Sequence, residues 1–279
     1  MKLAGARLII NADDFGYFAR VSDGIVDVAE RGLVTATGVM ANAPALGAAA
    51  DRLKSIPALS IGVHLNGTLG SPLTPQMRQA LRPTHGLFPS KMALVSALLF
   101  GRLSVDTLLG EWRAQIQHVL RLGIPLTFVN SHEHVHMLPL LFQRVNELAG
   151  EFGLHHVRRP HAEPPDNRSL ASAVRCGAFA TLQWLLPAAP HGSPRLLGLG
   201  PSGRLNLDYL RRAIPRLDPG RVYELMCHPG WYDPAVQQHP SLARYHDWEG
   251  EMLALKSPEF TSLLADHGIR LISFKDLPA

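Results

Sequence analysis

Five positions carry side chains that bind cations or move protons, and they fall at comparable places along the chain. Asp13 and Asp14 follow the apolar run Arg7–Asn11 (RLIIN), and His64 follows Leu59–Val63. His132 follows Leu126–Asn130 by one residue and opens the run His132-Glu133-His134-Val135-His136; His228 follows Arg221–Cys227. One carboxylate with two imidazoles is a common three-ligand set for a catalytic divalent metal, and it leaves positions for water and substrate. Asp14, His64 and His132 are read as that set. Asp13 is then free to act as a general base, because successive strand residues point to opposite sides. His228 arrives from a late strand and is placed to protonate a leaving amine. His134 and His136 share the two-residue spacing of His132 and stay open as ligands, as supports behind the ligands or as substrate contacts. Glu133 is read as structural.

Singly, each position has an ordinary explanation. An Asp pair after a strand is more often a helix cap or a turn, and a lone histidine is more often a satisfied core residue. The joint pattern is what counts: several separate strands each end in a metal-binding or proton-carrying group. In parallel α/β folds the carboxyl ends of all strands open onto one face, so residues distant in sequence converge there.

The elements that would bring them together alternate. Strands are expected at Arg7–Asn11, Thr35–Ala41, Leu59–Val63, Leu126–Asn130, His155–Arg158, Arg221–Cys227 and Arg270–Ser273. Helices are expected at Asp23–Arg31, Ala45–Lys54, Asp106–Leu122 and Leu140–Phe152, with Gly32 and Gly153 placed to end two of them. The stretch from Pro160 to Gly203 is rich in Pro and Ala and resists assignment. This alternation predicts an α/β fold, an irregular TIM-like (β/α) barrel, with a doubly wound open sheet as the alternative. No linker divides the chain, so residues 1–279 are expected to form one domain.

Composition narrows the function. A net charge of +4 with scattered arginines, clustering modestly from Arg204 to Arg221, does not make a nucleic-acid binder. Two cysteines without a CxxC pair suggest neither a disulfide framework nor a thiolate zinc site, and a cytoplasmic setting is the default. MKLAGARLII reaches Asp13 too soon for a secretory signal. The apolar stretches Met92–Phe100 and Ala178–Leu186 are too short to span a bilayer; peripheral membrane contact stays open. No G-x-S-x-G elbow and no phosphate-binding loop is present. Cys227 is discounted as a nucleophile because its thiol should face away from His228.

The motifs NADDFG (Asn11–Gly16), GVHLN (Gly62–Asn66), SHEHVHMLP (Ser131–Pro139) and ELMCHPG (Glu224–Gly230) resemble the YdjC-like carbohydrate deacetylases, a group that includes chitooligosaccharide and hopanoid-associated deacetylases. The resemblance runs from Arg7 to about Leu277 with the motifs in order. It implies a TIM-like barrel, an N-acetylated sugar substrate and one divalent metal ion per chain, Zn²⁺ or Mg²⁺. The His-rich set favours zinc by softness. By motif, the metal falls on Asp14, His64 and His132, the base on Asp13 and the acid on His228. Many relatives carry Asp where Asn130 stands and His where Glu133 stands; Asn130 can still accept a hydrogen bond and orient a ligand imidazole. Arg158 and Arg159 end the fifth expected strand and are candidates to contact substrate. Trp231, just after His228, is a candidate to stack on a sugar ring. Relatives also suggest a homodimer. The competing readings are a metal-dependent phosphoesterase, a glycosidase that would need neither His64 nor His132, and a non-catalytic sugar-binding relative.

Overall fold

The structure, a computed structural model, describes residues 5–164, 169–190 and 192–278. Four of the opening residues, Met1 to Ala4, and part of the stretch after Pro160 therefore lie outside the described residues. Eight strands form one parallel sheet: β1 (Arg7–Phe15), β2 (Ala36–Val39), β3 (Ser60–Leu65), β4 (Phe128–Ser131), β5 (His156–Val157), β6 (Arg195–Leu197), β7 (Val222–Cys227) and β8 (Arg270–Leu271). Their spatial order is β5-β4-β3-β2-β1-β7-β6, with β8 joined to β1. β7 occupies one edge of β1 from Arg7 to Ala12. The other edge is shared, with β8 beside Arg7 and Leu8 and β2 beside Asn11 onward. The result is an irregular TIM-like (β/α) barrel in which, among the described residues, no ladder joins β5 to β6.

Helices fill the crossovers: α1 (Ala19–Glu30), α2 (Leu46–Lys54), α3 (Pro75–Ala80), α4 (Lys91–Leu99), α5 (Val105–Arg121), α6 (Pro139–Glu151), α7 (Leu170–Leu185), α8 (Leu207–Ala213), α9 (Pro240–Tyr245), α10 (Trp248–Lys256) and α11 (Pro258–Asp266). Helix α5 shows why such segments fold where they do. The Ser104 side chain accepts from the Thr107 amide, satisfying an orphan donor of the first turn. Leu108, Trp112, Ile116 and Val119 recur at helical spacing and are all buried, while His118 and Arg121 sit in the last turn, where the helix dipole favours positive charge.

Alternation along β1 divides the interior. Leu8, Ile10 and Ala12 face the helices and join the large outer core. Ile9 faces inward, where it packs with Ala36, Phe128, Val222, Ile272, Phe274 and Leu277. Phe128 and Phe274 stack with ring centroids 4.1 Å apart, closing the amino end of the barrel. Two residues further along each strand the inward positions turn polar: Asn11 on β1, Asn130 on β4 and Glu224 on β7, all buried. An apolar plug thus supports a buried polar layer, and that layer supports the carboxyl ends of the strands.

The sequence-based boundaries are corrected at several points. β1 continues through both aspartates to Phe15, because β2 pairs with its far end. His64 lies within β3 rather than after it. The fifth strand contracts to two residues, and the last one ends at Leu271, with Ser273 capping a short turn instead. The unassigned stretch contains α7 and β6. Met92–Phe100 falls on α4 and its C-cap, Ala178–Leu186 on the end of α7. Among the described residues no helix is long and apolar enough to cross a membrane.

The plug is an obligatory packing unit, so Phe128→Ala should destabilise the fold by about 3–5 kcal/mol. Urea unfolding would show this as a lowered midpoint with an unchanged slope; a shift under ~1 kcal/mol would mean that the barrel floor collapses around the lost ring.

Candidate metal centre and its buried support

Strands β1, β3 and β4 deliver Asp14, His64 and His132 to one place. Their ligand atoms all lie within 4.8 Å of one another. Asp14 Oδ1 is 3.2 Å from His64 Nε2 and 2.9 Å from His132 Nδ1. Simple pleating would not achieve this. The β1–β2 register shifts between Ala12 and Phe15, and Asp14 takes φ +68°, a left-handed conformation that non-glycine residues seldom adopt. Instead of facing opposite ways, the two aspartates sit at opposite ends of the His64 ring, with Asp13 Oδ1 3.7 Å from Nδ1. Glu133 and His134, directly after His132, are also left-handed at φ +52° and +59°. Such residues cost about 1–3 kcal/mol each and persist where surroundings enforce them.

The hydrogen-bond network fixes what His64 offers. Asn130 Nδ2 donates to Asp13 Oδ1 at 2.8 Å, so its amide oxygen faces His64 Nδ1 at 2.7 Å. Nδ1 therefore carries the proton, and Nε2 turns a bare lone pair toward the Asp14 carboxylate. Two acceptors at 3.2 Å repel unless a cation or a proton lies between them. Burial would push Asp14 up, but His132 outweighs it and holds the carboxyl well below the usual carboxylate range. His132 is raised: Asp14 overcomes the burial that would lower it. The proton they share is what a metal displaces. The donor set fits a divalent cation.

Beneath lies an ion cluster. Arg158, buried, donates from Nη1 to Asp13 Oδ2 at 2.6 Å and from Nη2 to Asp13 Oδ1 at 3.0 Å. It also reaches Glu224 Oε1 from Nε at 2.9 Å and from Nη2 at 2.7 Å. Burial alone would push Asp13 up, but Arg158 outweighs it and holds the carboxyl at about 2. Gly38 on β2 leaves room for this layer: a Cβ there would meet Asn130 Oδ1, His64 Nδ1 and Asp13 Oδ1 at 3.1–3.2 Å.

His228 enters from the other side. Glu251 of α10 accepts from the His228 backbone amide at 2.5 Å and stands 3.7 Å from Nδ1. Burial would lower this imidazole, but Glu251, then Asp14 and Asp13, raise it to about 9. His246 packs on it, with centroids 4.7 Å apart, and stacks in turn on Trp248 at 4.9 Å. Burial and His228 push His246 down to about 3, which leaves it neutral.

Of the residues offered as substrate contacts, Arg158 and His136 are buried behind the site, and Trp231 and Arg159 engage other groups. Arg158 is enclosed and spends its donors on Asp13 and Glu224. His136 is fully buried, with Nδ1 2.5 Å from Ser131 Oγ and Nε2 2.9 Å from the Arg158 carbonyl, so it positions Arg158. Trp231 packs toward Lys256, whose Nζ is 5.5 Å from its ring centre. The cleft beside Asp14 and His132 is lined instead by Tyr17, Leu69, His246 and Trp248. Arg159 bonds the Pro187 carbonyl and lies over Phe142, 4.7 Å from the ring centre. His134 retains a buried, unpartnered Nδ1 beside Phe179, within the field of Arg158 and Asp13. Sequence reasoning missed Glu224, Glu251, His246 and Trp248. Glu224 stood inside a quoted motif, and the run Tyr245-His246-Asp247-Trp248-Glu249 was its own signal, a cluster of aromatic and titratable side chains.

Comparison with known proteins agrees with this architecture. The model of the family described as YdjC-like protein matches residues 7–266. A carbohydrate deacetylase of Halalkalibacterium halodurans is 30% identical over 92% of this chain and 100% of its own length. A carbohydrate deacetylase of Mus musculus is 31% identical over 99% and 96%. A crystal structure from Enterococcus faecalis, described as a candidate for cellobiose-phosphate cleavage, superposes with a TM-score of 0.76 at 25% identity, covering 99% of this chain and 100% of that one.

Arg158→Met should cost about 3–5 kcal/mol in urea unfolding, since it strands two buried carboxylates. The acid limb should move as well. In the wild type, stability from Asp13 is complete above its ordinary value of 3.8 and is lost as pH falls through about 2; in the variant the loss begins at higher pH.

Proposed function

The chain belongs to the YdjC-like family, and from that premise we propose that it is a divalent-metal-dependent hydrolase that removes the acetyl group from an N-acetylated amino sugar and releases acetate. One observation carries the proposal: the Asp14 carboxylate and the His64 lone pair face each other at 3.2 Å beside His132, a donor set that calls for a cation. Relatives matched over nearly their whole length are carbohydrate deacetylases, which supports sugar deacetylation as the reaction. The whole chain is proposed to act as one deacetylase domain.

Asp14, His64 and His132 would hold the ion. When bound, a divalent cation polarises the acetamide carbonyl and acidifies water. Asp13 is the proposed base. Arg158 grips both of its oxygens, keeping it ionised and fixed in direction, and Asn130 ties it to the His64 ring. It takes the proton of the attacking water as the new C–O bond forms. Its low pKa makes that proton short-lived on the carboxylate. His228, raised to about 9, is protonated at neutral pH and gives its proton to the nitrogen as the C–N bond breaks. Glu251 stabilises the protonated ring. Tyr17, Leu69 and Trp248 offer apolar faces that suit an acetyl methyl or a sugar ring, and the unpartnered His134 Nδ1 suits a substrate hydroxyl.

Acetate release from N-acetylated mono- and oligosaccharides should require metal, stop with chelator and return on adding Zn²⁺ or Mg²⁺. Asp13→Asn should lower turnover by about 10²–10⁴ while still binding metal, whereas His132→Ala should lose metal on dialysis. Chelator-resistant cleavage of cellobiose phosphate, giving reducing sugar and no acetate, would replace this reading with a glycosidase. Phosphate-ester turnover with two metals per chain would replace it with a phosphoesterase.

The acid also sets a pH limit. A group raised from 6.5 to about 9 donates below that value, so kcat/KM should fall as pH rises through about 9. In Glu251→Gln the fall should move to lower pH. A limb that stays put in that variant means another group supplies the proton.

A further inference from the structure

Two helices that lean on the turn after His132 are apolar on a side that no described residue covers. Helix α4 buries only Leu94 and Leu98, yet Met92, Leu99 and Phe100 on its outer side are largely exposed, Phe100 at 76%. A helix apolar all round belongs where both faces are covered. Helix α7 buries Ser172, Cys176 and Phe179. At about 100° per residue, Leu170, Val174, Trp184 and Leu185 fall on roughly the opposite face, and all four are exposed, Trp184 at 82%. Both helices flank one turn. Lys91 at the start of α4 stands 3.6 Å from Glu133, and the Phe179 ring lies 5.1 Å from that of His134. Those two residues follow His132 directly, so both helices are anchored against the same turn.

Charge singles out the same segments. Between Asp51 and Asp106, and again between Asp166 and Asp208, the chain contains no Asp or Glu. These stretches, which carry α4 and α7, hold ten of the 27 basic residues and none of the 23 acidic ones; elsewhere acidic residues outnumber basic ones. Some of the cations are engaged, as Arg52 is with Asp23 and Lys54 with Asp51. The absence of any acid remains. A second copy docked through a two-fold axis would set these acid-free segments against themselves. An anionic lipid surface offers both an apolar interior for the side chains and negative headgroups for the arginines and lysines. Exposed Trp and Phe at the helix ends suit the headgroup boundary.

We propose that α4 and α7 seat this protein on an anionic bilayer, with Met92, Leu99, Phe100, Leu170, Val174 and Trp184 below the headgroups. The inference rests on surface chemistry and stands apart from the hydrolase reading.

Flotation with vesicles of equal parts phosphatidylcholine and phosphatidylglycerol tests it on the full chain. The wild type should float with these vesicles, less with phosphatidylcholine alone, and less as salt rises. Phe100→Ser and Trp184→Ser should each weaken partitioning about tenfold, with unchanged thermal melting because both side chains are exposed. Trp184→Phe, which keeps an apolar ring, should still float but lose tryptophan quenching by brominated lipid. No flotation with the anionic vesicles, or full partitioning by the Phe100→Ser/Trp184→Ser double variant, overturns the proposal. So does a wild-type dimer in sedimentation that these substitutions split, because a second copy then covers the face.

Discussion

A single guanidinium, buried against two carboxylates, is the constraint on which the rest of the site depends. Arg158 is fully withdrawn from solvent at its side chain, as are Asp13 and Glu224 almost entirely. Charges taken out of water must be paired and hydrogen-bonded, or the fold cannot tolerate them. Every neighbour serves that requirement. Asn11 donates to Glu224 at 2.8 Å, Asn130 donates to Asp13, and His136 anchors the Arg158 carbonyl. Gly38 withholds a side chain where one would intrude. Once Asp13 is pinned in this way, Asn130 can turn only its oxygen to His64, and the tautomer of a metal-ligand candidate follows from an ion pair one layer below it.

The same network accounts for the unusual backbone. Asp14 must leave the pleat to bring its carboxylate beside His64, and Glu133 and His134 must turn sharply so that His132 points back toward β1. These left-handed residues lie next to the cluster they shape, and the packed barrel beneath them supplies the rigidity that holds them there. Environment also separates the two groups proposed as base and acid. Asp13 is held near 2 by a cation and His228 near 9 by Glu251 and the aspartates. Titratable groups pushed in opposite directions inside one cleft are the physical basis for assigning a base and an acid.

Much of this was legible in the linear chain because it depends on local pattern. Apolar runs ending in Asp or His mark strands whose carboxyl ends meet, and Gly32 and Gly153 mark helix ends through their positive φ. The misjudged positions share a cause. Arg158 was read as a candidate substrate contact because polar residues at strand ends usually face the cleft. Whether such a group faces solvent or a buried partner depends on what the other strands bring, and Glu224 comes from a strand 66 residues away. Trp231 was a candidate for its adjacency to His228, whereas tertiary packing sets Glu251 of α10 against that histidine and Trp248 against His246.

The sequence by itself determined the alternating elements, the strand-end positions of Asp13, Asp14, His64, His132 and His228, and the resemblance that points to a sugar deacetylase. Those features follow from hydrophobic period and from residue type at fixed spacing. Only the tertiary structure decided which carboxylate faces the two histidines and which faces arginine, which histidine nitrogen carries a proton, and which aromatic rings border the cleft. Each of these depends on distances between strands and helices that are not neighbours in the chain, and on burial, which sets the protonation of every group involved.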